Sequence, residues 1–338
     1  MRIRFVVFLI LTGLAASAVP GSQAGSGARR LTTPKAVVHP ATDAAQDVAA
    51  REVHFYSEGV RCYGKIFTPK GSSGESKSPA VVVAPGWAKT ADSVERYAAR
   101  FAESGLVAMV LDYRGWGKSG GFLQTVDAVK TDDRLRFSQM TARIRIRRKR
   151  LIPEDQILDV RNALYYLQGE PGVDRNRVGV WGTDMAGGYA IVIAATDARI
   201  KAAVAQVPII EGKDAAKKAW APTGELLQAA QRLARTGPDT PTDNSAIRSS
   251  EAETRLALAQ YHPFWYVEWL PQTTAVLFVT AEKDTMVNNE ANAIAASKLV
   301  KGTSAVVSVP GATHALIDQG AAFDNSAAAA ADWFLKHL

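Results

Sequence analysis

The stretch that most constrains this chain is the turn Gly182-Thr183-Asp184-Met185-Ala186-Gly187. It is entered from the apolar run Val178 to Trp181 and left through Gly188-Tyr189-Ala190-Ile191-Val192-Ile193. A β-branched run, a tight small-residue turn and an alanine-rich continuation predict a strand, a sharp elbow and a helix, with Asp184 at the apex. Small residues are needed on either side because such a turn brings the strand end and the helix start together, leaving no space for a side chain at position 182 and little at 186. The helix start then aims its free N–H groups at whatever reacts at the apex.

The rest of the chain supplies the setting. Ala80 to Ala84, Leu106 to Leu111, Ile200 to Val207, Ala275 to Thr280 and Ser304 to Val309 are short apolar runs of the kind buried parallel strands show. Between several of them lie helical patterns, such as Val94, Tyr97, Ala98 and Phe101, or Ile157, Val160, Ala163, Leu164 and Leu167 after Pro153. Val53 to Tyr56 and Cys62 to Thr68 bracket Ser57-Glu58-Gly59 as a hairpin. An α/β fold follows, with a mostly parallel central sheet and helices on both faces.

With the Asp112-Tyr113-Arg114-Gly115-Trp116-Gly117-Lys118-Ser119-Gly120 loop, the Ala281-Glu282-Lys283-Asp284 strand end and the Pro310-Gly311-Ala312-Thr313-His314 strand end, the elbow resembles the α/β-hydrolase superfamily. The similarity is greatest to its dienelactone-hydrolase-like and polyketide-transferase-like branch. That family reads Gly-x-Ser-x-Gly at the elbow; here Asp184 holds the serine position. The resemblance implies a nucleophile at Asp184, a triad acid at Asp284 and a base at His314, in the family's chain order. It also implies an oxyanion hole from the N–H groups of Met185 and Trp87. Pro85 in Pro85-Gly86-Trp87 stands where the family usually has histidine.

At 338 residues, 47% apolar and 22% charged, the chain has ordinary globular composition. Met1 to Arg4 and Phe5 to Leu14 form the basic and apolar regions of a signal peptide over residues 1–24, with cleavage near Ala18 or Ala24. This predicts a secreted or periplasmic protein with no membrane contact after cleavage. Residues 25–50 read as a flexible linker and 51–338 as the catalytic domain. The single cysteine, Cys62, excludes an intrachain disulfide, and 40 basic against 33 acidic residues, a net +7, give no reason to expect nucleic acid.

Two segments interrupt the strand–helix rhythm. Residues 122–150 form an insertion whose Thr141 to Arg150 alternates basic and apolar residues, reading as an exposed strand of a hairpin arm. Such an arm suits solvent protection, an anionic-surface contact or a homodimer. Residues 208–270 read as a small helical lid. Its aromatic end supplies Tyr261, Trp265 and Tyr266 as pocket residues beside Trp87, with Tyr261 and Tyr266 as proton donors for an epoxide.

No cofactor and no metal are expected, since no cluster with ligand spacing is present. An elbow aspartate is the family's mark of enzymes that open epoxides or displace halides. A covalent Asp184 ester, hydrolysed by water that His314 activates, is therefore the leading chemistry for a small-molecule substrate. Ester, lactone or thioester hydrolysis is the alternative. A catalytically inert binding protein is the second alternative.

Overall fold

A computed structural model of the chain describes residues 48–71, 76–126, 139–210, 223–236 and 252–338, with single positions between 130 and 137. The expected signal segment, most of the expected linker and parts of the expected arm and lid lie outside the described residues. The linker expected through residue 50 ends earlier, because Val48 already opens the first strand. That strand, β1 (Val48–Ser57), pairs antiparallel with β2 (Val60–Pro69) around Glu58 and Gly59, both at positive φ.

The sheet continues with β3 (Ser78–Ala84), β4 (Val107–Leu111), β7 (Val173–Thr183), β8 (Ile200–Gln206), β9 (Ala275–Ala281) and β10 (Ser304–Val309). Its order is β1-β2-β4-β3-β7-β8-β9-β10, antiparallel from β1 to β4 and parallel from β4 to β10. The expected mostly parallel sheet is therefore present. The remaining strands, β5 (Phe122–Thr125) and β6 (Ile144–Arg147), pair antiparallel as a separate ribbon.

Strand alternation sorts the apolar residues into two cores. On β3, Ala80, Val82 and Ala84 point into one core, shared with α2 (Pro153–Gln168) and α3 (Met185–Thr196). Val81 and Val83 point into the other, shared with α1 (Glu95–Glu103) and the C-terminal helix α7 (Gly320–His337). Both faces are covered, which is why β3 shows no polar alternation. Helices α4 (Thr223–Thr236) and α5 (Ala252–Gln260) pack on each other, a 3-10 segment (Pro263–Trp269) leads into β9, and α6 (Ala295–Leu299) precedes β10.

The winding reverses at β3. The chain adds β4 on one side of it and then β7 on the other, opening a crevice beyond the carboxyl ends of β3 and β7. Open α/β sheets bind their ligands at such a switch point. The Pro85-Gly86-Trp87 turn and Asp184 meet there.

Candidate active site

Asp184 sits at φ +57° and ψ −123°, a backbone conformation that costs energy for any residue with a Cβ. The turn is held from several sides. Asp184 N–H donates to the Gln206 carbonyl at 2.9 Å, and the Asp184 carbonyl accepts from Gly187 N–H and Ile209 N–H, each at 3.0 Å. A Cβ at Gly182 would land on the Ala186 carbonyl, so glycine is obligatory for a turn this tight.

The other two residues arrive from neighbouring strands. β9 and β10 run parallel in register up to Val309 opposite Ala281, so their following loops leave the sheet side by side. The Asp284 carboxylate, with no side-chain exposure, receives His314 Nδ1 at 2.8 Å and the N–H groups of Met286 and Val287, each at 2.9 Å. His314 Nε2 faces Asp184 Oδ1 at 3.5 Å. The three residues form one line, Asp184–His314–Asp284.

Charge follows from this line. Burial alone pulls the His314 imidazole down, but the Asp184 and Asp284 carboxylates on its two nitrogens outweigh burial and hold it up at about 9. Burial also disfavours the Asp284 anion, yet the His314 bond and the two backbone N–H donors keep its carboxyl below the usual range. The two acidic neighbours of His314 thus favour the protonated form of the imidazole.

The remaining oxygen of Asp184 is held as well. Trp87 N–H donates to Asp184 Oδ2 at 2.8 Å. Gly86 makes the approach feasible, since a Cβ there would sit 3.0 Å from both Cβ and Oδ2 of Asp184. The turn is pinned from behind by Tyr113, whose hydroxyl donates to the Pro85 carbonyl at 2.8 Å. Met185 opens α3, so its N–H is one of the first four of the helix, which have no intrahelical acceptor. Among the described residues, no group of His, Cys, Asp or Glu is placed to hold a metal ion.

Comparison with known families fits this geometry. The chain matches the acetyl xylan esterase (AXE1) family over residues 29–214 and the prolyl oligopeptidase family over residues 147–338, the two overlapping across the elbow. The chain belongs to the α/β-hydrolase superfamily. It is 23% identical to an uncharacterised 31.7 kDa protein of Escherichia coli, with 84% of this chain and 98% of that protein covered. It is 28% identical to the quorum-quenching protein AidA of Acinetobacter baumannii, over 48% of this chain and 45% of the relative. It is also 28% identical to a thiohydrolase of Aspergillus aculeatus, over 47% and 42%. The chain thus spans less than half the length of those two. Among solved structures, a hypothetical protein of Pseudomonas aeruginosa aligns with a TM-score of 0.68 at 19% identity, covering 88% of this chain and 96% of that one.

This α/β-hydrolase arranges its other aromatic residues differently from the sequence-based expectation. Tyr261 is buried behind the elbow, where its hydroxyl donates to the Met185 carbonyl at 3.1 Å and its ring meets Tyr189 edge-on at 5.6 Å. Its proton is committed to the backbone, which removes it as an acid for an epoxide. Trp265 is 65% exposed, stacks on His262 and lines a cavity of about 120 Å³ with Ile210, Phe264 and Ala291. Tyr266 borders a groove of about 240 Å³ with Tyr261, Glu154, Arg161 and Val192. Neither space is lined by Asp184 or His314, so of the four expected pocket residues only Trp87 reaches the Asp184 carboxylate, through its backbone N–H.

The Asp112 loop ties structure together. Asp112 accepts from the N–H groups of Ala91 and Lys118, both at 2.7 Å, and Arg114 is buried against Asp159 at 2.6 Å. What the sequence did not signal is that Trp87 N–H would be taken by Asp184 itself. That contact spans 97 positions and depends on β3 and β7 being neighbours.

Proposed function

We propose that this hydrolase uses Asp184 as a nucleophile on saturated carbon, displacing a halide or opening an epoxide through a covalent alkyl ester. One observation carries the reading: Asp184 Oδ2 occupies the Trp87 N–H. An enzyme for acyl transfer keeps that donor for the oxygen of its substrate. In alkyl transfer the oxygen in the hole is the enzyme's own, first as carboxylate, then as ester carbonyl, then as the oxyanion of the hydrolytic intermediate. The donor is in place for all three states.

The steps follow from the line of three. Asp184 Oδ1 forms a bond to carbon as the carbon–halide or carbon–oxygen bond breaks. The ester is neutral, so one of the two carboxylates that keep His314 protonated is gone, and the imidazole releases its proton more readily. Neutral His314, oriented by Asp284, then takes a proton from water as that water attacks Cγ of Asp184. Collapse breaks the Cγ–Oδ1 bond, the alcohol leaves with the proton that His314 took from water, and the carboxylate is restored on Oδ2 and the oxygen from water. With Tyr261 committed elsewhere, a leaving group that departs as an anion, such as a halide, suits the site better than an epoxide oxygen. The N-terminal basic and apolar segment supports export, which N-terminal sequencing of the periplasmic fraction checks.

The test is intact mass spectrometry of a His314→Gln variant incubated separately with a haloalkane, an epoxide and an activated ester. A stable mass gain mapped to Asp184 from the halide or epoxide is expected. An absent adduct, with the wild type turning over the ester, would sink the proposal.

The thiohydrolase and esterase names among the relatives and structural neighbours favour a second reading, acyl hydrolysis. In that case Asp184→Ser would free the Trp87 N–H and raise esterase activity about 10²-fold or more, in line with the worth of one oxyanion donor. The alkyl reading expects that gain to be accompanied by complete loss of dehalogenation.

A further inference from the structure

The arm carries a feature the reaction does not use. In the β5–β6 ribbon Leu123 pairs with Ile146 and Thr125 with Ile144, while Phe122 pairs with Arg147 and Gln124 with Arg145. Alternation puts these two sets on opposite faces. Of the second set, Phe122 and Arg147 are turned to the body, Phe122 under the guanidinium of Arg150 at 4.9 Å and Arg147 paired with Glu253 of α5, while Arg145 stays exposed and donates to Gln124 Oε1 at 2.9 Å. The first set is turned out, with Leu123 66%, Ile144 54% and Ile146 61% exposed. Val126, Phe137 and Met140 of the same segment are also exposed. A soluble ribbon ordinarily covers its apolar residues, and here Leu123, Ile144 and Ile146 lie outward beside the exposed Arg145.

Charge is concentrated in the same place. Residues 122–150 hold nine Lys or Arg against three Asp, and of these cations Arg147 and Arg150 are paired with Glu253 and Asp155 of the body, which leaves a clear positive excess on the arm. An apolar face rimmed by a strong local excess of cations matches the chemistry of an anionic lipid surface, where side chains enter the headgroup boundary and the cations meet lipid charge. A second copy of this chain would set one positive arm against another. A nucleic acid would meet the cations but would give the outward Leu and Ile side chains no role.

We propose that the β5–β6 arm seats this hydrolase on an anionic membrane surface, with Leu123, Ile144 and Ile146 entering the headgroup layer. This departs from the sequence-based expectation of no membrane contact after cleavage, which could not see which face of the ribbon is covered. The contact is peripheral, since among the described residues no helix is long and apolar enough to cross a bilayer.

Co-sedimentation of the full chain with phosphatidylcholine vesicles, with and without phosphatidylglycerol, tests the proposal. The wild type should partition onto the phosphatidylglycerol vesicles at low salt and release at high salt. Paired Leu123→Ser and Ile146→Ser should lower partitioning about tenfold or more, by the apolar area withdrawn from lipid. Paired Arg143→Ser and Arg145→Ser should lower it about 25-fold, at roughly fivefold per cation. Both variants keep the N-terminal apolar segment, so binding that survives in both belongs to that segment and overturns the proposal. Equal uptake by neutral vesicles, or no uptake at all, also overturns it. So does a dimer in sedimentation that Leu123→Ser with Ile146→Ser abolishes, or oligonucleotide binding that the arginine pair abolishes. Unchanged circular dichroism and Tm in both variants are expected, because the ribbon lies outside the two cores.

Discussion

His314 is the residue whose environment makes the sharpest statement about pH. Its folded pKa, about 9, stands above the ordinary histidine value of 6.5. Between those values the folded chain binds a proton that the unfolded chain does not. The sign is therefore fixed: the contribution to stability is complete below about pH 6.5 and is lost as pH rises through about 9. Urea unfolding of the wild type should show stability falling over that window. In His314→Gln the fall should be reduced, and an unchanged slope would mean the two carboxylates do not hold the proton. Tyr113 and Tyr261 act at the same scale without titrating. Each places a buried hydroxyl on a backbone carbonyl, Pro85 or Met185, in the turns that frame Asp184.

At the scale of elements, the elbow is a joint between β7 and α3 whose geometry depends on what is absent. Gly182 has no room for a methyl group, because that methyl would overlap the Ala186 carbonyl. Gly182→Ala should cost about 2–3 kcal/mol through forced displacement of the helix start, and reduce activity further by moving Asp184 off the Trp87 N–H. Gly224→Ala in α4 is the control. Its Cβ would meet nothing within 4 Å, so a helix-favouring alanine should leave Tm unchanged or slightly raised. Equal Tm losses in both variants would contradict this account.

Across the whole molecule, legibility in the sequence tracks distance along the chain. The strands and helices were readable because each writes its own apolar period into a few consecutive residues, as β3 does with Ala80 to Ala84. The three positions Asp184, Asp284 and His314 were readable because each follows a recognisable strand by a few positions, where the α/β-hydrolase resemblance implies a site residue. The pocket aromatics were not. Tyr261, Trp265 and Tyr266 lie close together in sequence, yet Tyr261 is buried on a backbone carbonyl, Trp265 is exposed, and Tyr261 and Tyr266 border a groove on α2 that neither Asp184 nor His314 lines. Side-chain direction there is decided by α2 and α3, far away in sequence. The covered face of the arm was illegible for the same reason, since Glu253, 106 positions from Arg147, settles which side of the ribbon turns inward.

The bond from Trp87 N–H to Asp184 Oδ2 has an isotopic consequence on the proposed chemistry. Water adds its oxygen to Asp184 and the alcohol leaves with the oxygen that attacked, so a first turnover in ¹⁸O-water yields unlabelled product and labelled enzyme. A carboxylate free to rotate would present either oxygen next, and the second product would be half labelled. A carboxylate pinned on one side must attack with the newly acquired atom, and the second alcohol should be fully labelled.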